Sequence, residues 1–188
     1  MNRTFFNTIL IGVITLLISS CGKDKKESEK VVPVKEEVVV ESDIDLNLTD
    51  SRSEIIFDDE NVNKIYDQYL MVKRGLVNSD FKVVQQEAKK MEDLIKNEDE
   101  RKQLKSTAKL IALTKDIKKQ RDFFVTLTVE TEKMINNSAI TSGEIYKQFC
   151  PMAFDGNGGY WLSDSKEVRN PYYGNKMLKC GSVNETIK

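Results

Sequence analysis

The chain has 188 residues, 31% of them charged, and a formal net charge of -1, so no basic excess drives binding to a phosphate backbone and nucleic acid is not an expected partner. It contains no histidine, which removes a Ser-His-Asp triad, His-containing zinc sites and histidine pH switching together. Three cysteines, Cys21, Cys150 and Cys180, are few enough to follow one by one.

Residues 1–20 read as an export signal. Arg3 is the only charge before Lys23, and Phe5, Phe6, Ile9, Leu10, Ile11, Val13, Ile14, Leu16, Leu17 and Ile18 form a short apolar run. Asn7, Thr8, Gly12 and Thr15 interrupt that run, and about 20 apolar residues are needed to span a bilayer. Ile18-Ser19-Ser20-Cys21 resembles the lipobox, in which two small residues precede a cysteine that is acylated and becomes the new N-terminus. The resemblance implies a lipoprotein tethered to a membrane outside the cytoplasm by lipid on Cys21, in the inner or outer membrane of the envelope. Several acyl chains hold stably, at about 0.8 kcal/mol per buried methylene.

From Cys21 to Phe57 the chain reads as a disordered acidic tether. It carries a charged start and an acidic run through Glu41, Asp43, Asp45 and Asp50. Val31-Val32-Pro33-Val34 and Val38-Val39-Val40 have strand-like composition but too little apolar mass around them to offset the entropy of ordering.

Residues 58–139 change to a helical period. Asp58 or Asp59 opens a first helix with Val62, Ile65, Tyr66, Tyr69, Leu70 and Leu76 on one face. Ser79 is a cap for a second, whose stripe is Phe81, Val84, Ala88, Met91 and Ile95. Leu104, Ala108 and Ile111 make a third stripe, and Ile117, Arg121, Phe124, Leu127 and Met134 a fourth. Thr114 and Asp116 either cap a separate fourth helix or mark a bend in one long helix. Four amphipathic helices on short loops predict a mainly α fold, an antiparallel four-helix up-and-down bundle.

Residues 140–188 predict a small loop-rich or β module packed on that bundle, dense in Gly, Pro and aromatic residues. Strands near Tyr146–Cys150 and Gly181–Ile187 would, if paired, bring Cys150 and Cys180 together. Each cysteine has a methionine close by, Met152 two residues after Cys150 and Met177 three before Cys180. Two thiolates and two thioethers without imidazole suit a soft monovalent ion such as Cu(I) or Ag(I); the thiolates would also accept Zn(II), but thioethers are poor zinc ligands. The same cysteines, in an exported protein, also read as a disulfide closing a loop of about 30 residues, and the methionines as core filler. A redox-labile pair allows both, binding metal only when reduced.

The blocks Tyr69-Leu70-Met71-Val72-Lys73, Gln120-Arg121-Asp122-Phe123-Phe124, Cys150-Pro151-Met152-Ala153, Trp161-Leu162-Ser163, Asn170-Pro171-Tyr172-Tyr173-Gly174 and Met177-Leu178-Lys179-Cys180-Gly181 carry a resemblance over residues 61–187. The chain resembles a bacteroidete-type domain of unknown function. That domain occurs in small lipoproteins and at the C-terminal end of some periplasmic adaptor subunits of heavy-metal efflux pumps. The resemblance implies helices carrying a Cys/Met module, and a link to copper or silver handling with an efflux or other envelope protein as partner. It implies no established activity.

Arg121 is expected to dock the C-terminal module through backbone carbonyls or a carboxylate, because a buried guanidinium must be paired. Trp161, Tyr172 and Tyr173 are expected to form the core of that module. Gly156-Asn157-Gly158-Gly159 lacks the lysine of a phosphate loop and reads as a turn. No pair of carboxylates stands out as an acid/base couple, so a non-enzymatic protein is expected, either metal-binding or a disulfide-stapled interaction module.

Overall fold

A computed structural model of the chain describes residues 44–188 apart from Asn97. The expected signal, Cys21 and the first part of the tether lie outside the described residues.

Helix α1 spans Glu60–Val77. The Asp59 carboxylate caps it by accepting from the Asn61 and Val62 amides, and Val62, Ile65, Tyr69, Val72 and Leu76 are buried along one face at three- and four-residue steps. Helix α2 is Phe81–Leu94. Its cap is Asp80 rather than Ser79: Ser79 turns the chain at φ 58°, and the Asp80 side chain takes the amides of Lys82 and Val83. Helices α3, Glu98–Leu113, and α4, Ile117–Asn136, are separate. Asp116 caps α4, and the Gln120 side-chain amide donates to Thr114 O and Phe81 O, fixing the turn between them. Along the chain each helix packs on the next, and α1 also meets α4.

Two small antiparallel sheets follow. Strand β1, Ile56–Phe57, pairs with β2, Ile140–Ser142. Strands β3, Ile145–Cys150, β4, Gly159–Ser163, and β5, Ser182–Ile187, form a sheet in the order β4-β3-β5. Gln148 is opposite Trp161 on one side and Val183 on the other. Strand β4 packs on α4, and Trp161, Leu162, Cys150 and Tyr172 join one continuous core with Phe124, Tyr69 and Leu76. The architecture among the described residues is therefore four helices with small antiparallel sheets.

The tether reading fails from residue 45 onward. Residues 45–57 lie as a strap against the folded body, with Asn47 and Phe57 buried. Arg52 Nη1 reaches Asp164 Oδ2 at 2.7 Å, Ser53 N donates to Asp164 O at 2.6 Å, and Arg74 Nε pairs with Asp45 Oδ2 at 2.9 Å. Asp45 and Arg52, charges that composition reads as part of a solvated spacer, have fixed partners more than 25 residues away in sequence.

Lys73 sits on the buried face of α1, with Nζ donating to Ser163 Oγ at 3.0 Å. Burial pulls its pKa from 10.5 to about 8, against the favourable field of Asp164. Between about pH 8 and 10.5 the unfolded chain thus binds more protons than the folded one, so stability rises with pH across that window. Urea denaturation at pH 7.5 and 9.5 is expected to show a rise of roughly 1–2 kcal/mol in the wild type that is missing in Lys73→Met. An equal rise in the variant would assign it to another group.

Candidate functional site

The pairing of β3 with β5 places Cys150, the last residue of β3, beside Cys180, two residues before β5 begins. Their sulfurs are 2.8 Å apart. The connection works because Gly181 has no side chain: a Cβ there would lie 2.7 Å from Phe149 O and 2.9 Å from the Trp161 ring, at a φ of 134°. Any larger residue would force the backbone at Phe149 or the Trp161 ring to shift.

The two cysteines differ in surroundings. Cys150 is fully buried, in the core with Ala153, Trp161 and Tyr172, while Cys180 is partly exposed. The hydrogen bond with Cys150, together with burial, pushes the Cys180 thiol above its ordinary pKa; the Met152 amide, aimed at its sulfur, opposes this. The Cys180 backbone is pinned at both ends, N donating to Met177 O at 3.0 Å and O accepting from Asn170 Nδ2 at 2.9 Å.

Both methionines border this corner through their backbones. Met152 lies in the turn after β3, with a largely exposed side chain (55%) and a carbonyl that accepts from Tyr173 Oη at 2.5 Å. Met177 ends the 3-10 turn Gly174–Met177 that leads to Cys180 and is partly buried. Among the described residues no three His, Cys, Asp or Glu side chains form a metal-ligand cluster. A metal held here would rest on the two sulfurs of the pair, with thioethers or other donors completing its shell. The donor types fit a soft ion, since thiol and thioether sulfur are what such ions prefer.

Aromatic and polar residues hold the corner against the helices. Trp161 is fully buried, edge-on to Tyr172 at 5.8 Å, and Tyr172 is in turn edge-on to Phe124 of α4 at 6.1 Å. The Tyr172 hydroxyl donates to Tyr160 O. Arg121 bridges helices and module: Nε donates to Pro171 O at 2.8 Å, and Nη2 to Leu76 O at 3.1 Å and Ser79 Oγ at 2.9 Å. It touches neither cysteine in these bonds, so its place is positional. Gly174 is close to the same bridge, at φ 57°, where a Cβ would meet Val77 O at 2.7 Å.

Sequence reasoning missed three positioning residues. Gln148 is fully buried; its Nε2 donates to Ser165 O, Lys166 O and Glu167 O at 2.9, 3.2 and 3.3 Å, and its Oε1 accepts from Trp161 Nε1 at 2.7 Å. Asn170 is fully buried and folds the loop on itself, Oδ1 accepting from the Tyr172 and Tyr173 amides. Asp164 anchors the strap. The signal for Gln148 was its place in a strand otherwise read for its cysteine, and for Asn170 its position before Pro171.

Residues 65–143 match a family described as a protein of unknown function (DUF3347), a match that runs from α1 through β2 and stops before the cysteine corner. No curated protein and no solved structure matches the chain. The match covers less than half of the chain, falls on its helical part, and is to a family of unknown function.

Proposed function

We propose that the chain is a non-enzymatic lipoprotein of the cell envelope, anchored through Cys21, that binds Cu(I) or Ag(I) when Cys150 and Cys180 are reduced. Met152 and Met177 supplement the pair, and the ion is buffered or passed to a heavy-metal efflux or other envelope protein. The helices would form a four-helix up-and-down bundle carrying this Cys/Met module. The observation that carries the reading is the contact of two thiols at a partly exposed corner bordered by both methionine-bearing turns.

A second reading is a disulfide-stapled interaction module without metal. The sulfur separation favours it. Two thiolates on one tetrahedral ion, with metal–sulfur bonds of about 2.3 Å, lie roughly 3.8 Å apart, whereas a disulfide is about 2.05 Å. At 2.8 Å the pair must part by about 1 Å to chelate and close by less than that to bond. The two states interconvert by two-electron reduction, so the oxidised form is the metal-free state of the same site.

Titration of the reduced chain with Cu(I), against a chromophoric chelator, tests the proposal. One ion per chain is expected, weakened in Met152→Leu/Met177→Leu and lost in Cys150→Ser/Cys180→Ser. Unchanged binding in the double cysteine variant would refute the assigned ligands.

A further inference from the structure

The two sulfurs of the pair are not equivalent to a reagent arriving from solvent. Thiol–disulfide exchange needs a thiolate to approach one sulfur in line with the S–S bond, so access decides which sulfur is attacked. Cys150 closes β3 in the core under Trp161 and Tyr172, with no exposed surface. Cys180 lies on the loop between the 3-10 turn and β5, partly exposed, and the residue before it, Lys179, is exposed. That loop does not swing away cheaply. The Asn170 amide holds the Cys180 carbonyl, the Met177 carbonyl holds its N–H, and Asn170 N donates to Leu178 O at 2.8 Å. Exposing Cys150 therefore requires breaking the loop, while reaching Cys180 does not.

We propose that Cys180 is the exchange-active sulfur and Cys150 the protected one, with an external low-molecular-weight thiol as the substrate class. This rests on the disulfide reading given above. A thiolate of the external thiol bonds to Cys180 Sγ, the Cys150–Cys180 bond breaks, and its electron pair leaves on Cys150 Sγ, which takes up a proton. A second thiol molecule attacks the external sulfur of the mixed disulfide, releasing Cys180 as a thiol and the two external molecules as their own disulfide. The chain gains two electrons and two protons, and the two thiols are oxidised to one disulfide. Because only Cys180 is reachable from solvent, exchange is confined to one side.

The test uses the full-length chain without variants, with peptide mapping to separate Cys21, Cys150 and Cys180. The chain is first reduced, then labelled in the folded state with limiting iodoacetamide. Cys180 is expected to carry at least roughly ten times the label of Cys150, a ratio that collapses toward one in denaturant. A second portion of the reduced chain, incubated with oxidised glutathione and quenched early, is expected to carry glutathione on Cys180. Equal labelling of the two residues, or glutathione on Cys150, overturns the exchange proposal. The intact mass of the chain after air exposure tests the disulfide reading on its own, through a deficit of about 2 Da. A deficit without labelling bias sinks the exchange step alone. A chain that stays reduced sinks the disulfide reading, and the exchange step with it, whatever the bias.

Discussion

Trp161→Ala is expected to lower the unfolding free energy by about 3–5 kcal/mol, the range for truncating a fully buried large aromatic. The indole is completely enclosed, contacts Tyr172 edge-on and donates to Gln148 Oε1 at 2.7 Å. Its removal leaves a cavity at the junction of β3, β4 and α4, and orphans a buried amide oxygen as well. Small domains are stable by only about 5–15 kcal/mol, so a large share of the reserve goes with this one side chain. Urea denaturation followed by far-ultraviolet circular dichroism measures it. A loss under 1 kcal/mol would mean that the sheet is not packed on the helices through Trp161. The same variant is expected to speed alkylation of Cys150, since the ring is part of what covers that sulfur.

Gln148→Leu is expected to cost about 2–4 kcal/mol although leucine fills much of the same volume. The loss is one of hydrogen bonds rather than packing. Three carbonyls of residues 165–167 lose their shared donor, and the Trp161 N–H loses its acceptor. Each buried polar group left unpaired costs about 1–3 kcal/mol, reduced where water can reach the exposed side of the turn. Trp161 is the only tryptophan of the chain, so its fluorescence in the folded variant reports the lost bond directly. Combined with Trp161→Ala, the two changes are expected to cost less together than their sum, because they remove one bond between them. Additive costs would show that the 2.7 Å contact carries no energy.

The helices were legible because their stripes repeat at three- and four-residue steps. Ile65, Tyr69 and Leu76 were visible in the order of apolar residues, and all are buried on α1. Of the alternatives Asp58 or Asp59 for the first helix, and Thr114 with Asp116 as cap or bend for the fourth, the structure uses Asp59 and Asp116 as caps. Ser79 misled because a serine before an apolar run is a good cap in general; here the chain needs a positive φ at that residue, and its neighbour caps instead. Strand β4 was hidden for a different reason. Gly159–Ser163 is buried at four of its five positions, so the alternation that marks a half-buried strand is absent and its glycines and aromatics read as a loop.

The strap and Lys73 were illegible for a shared physical cause. Arg52, Asp45 and Lys73 look like solvated charges until the fold supplies Asp164, Arg74 and Ser163 as partners. Long-range polar pairing leaves no local pattern in the sequence. The meeting of Cys150 and Cys180, in contrast, followed from pairing two short strands across one strand register, and the structure puts the sulfurs in contact. Their chemistry is a separate matter from their meeting.

That chemistry rests on one measurement. Cu(I) binding is determined by competition on two portions of the same purified chain, one oxidised in air and one fully reduced, with the thiol count of each taken alongside. The account predicts no ion bound where Cys150 and Cys180 are counted as oxidised, and one ion per chain where both are free thiols. Equal binding in the two portions, or none in the reduced one, would contradict it.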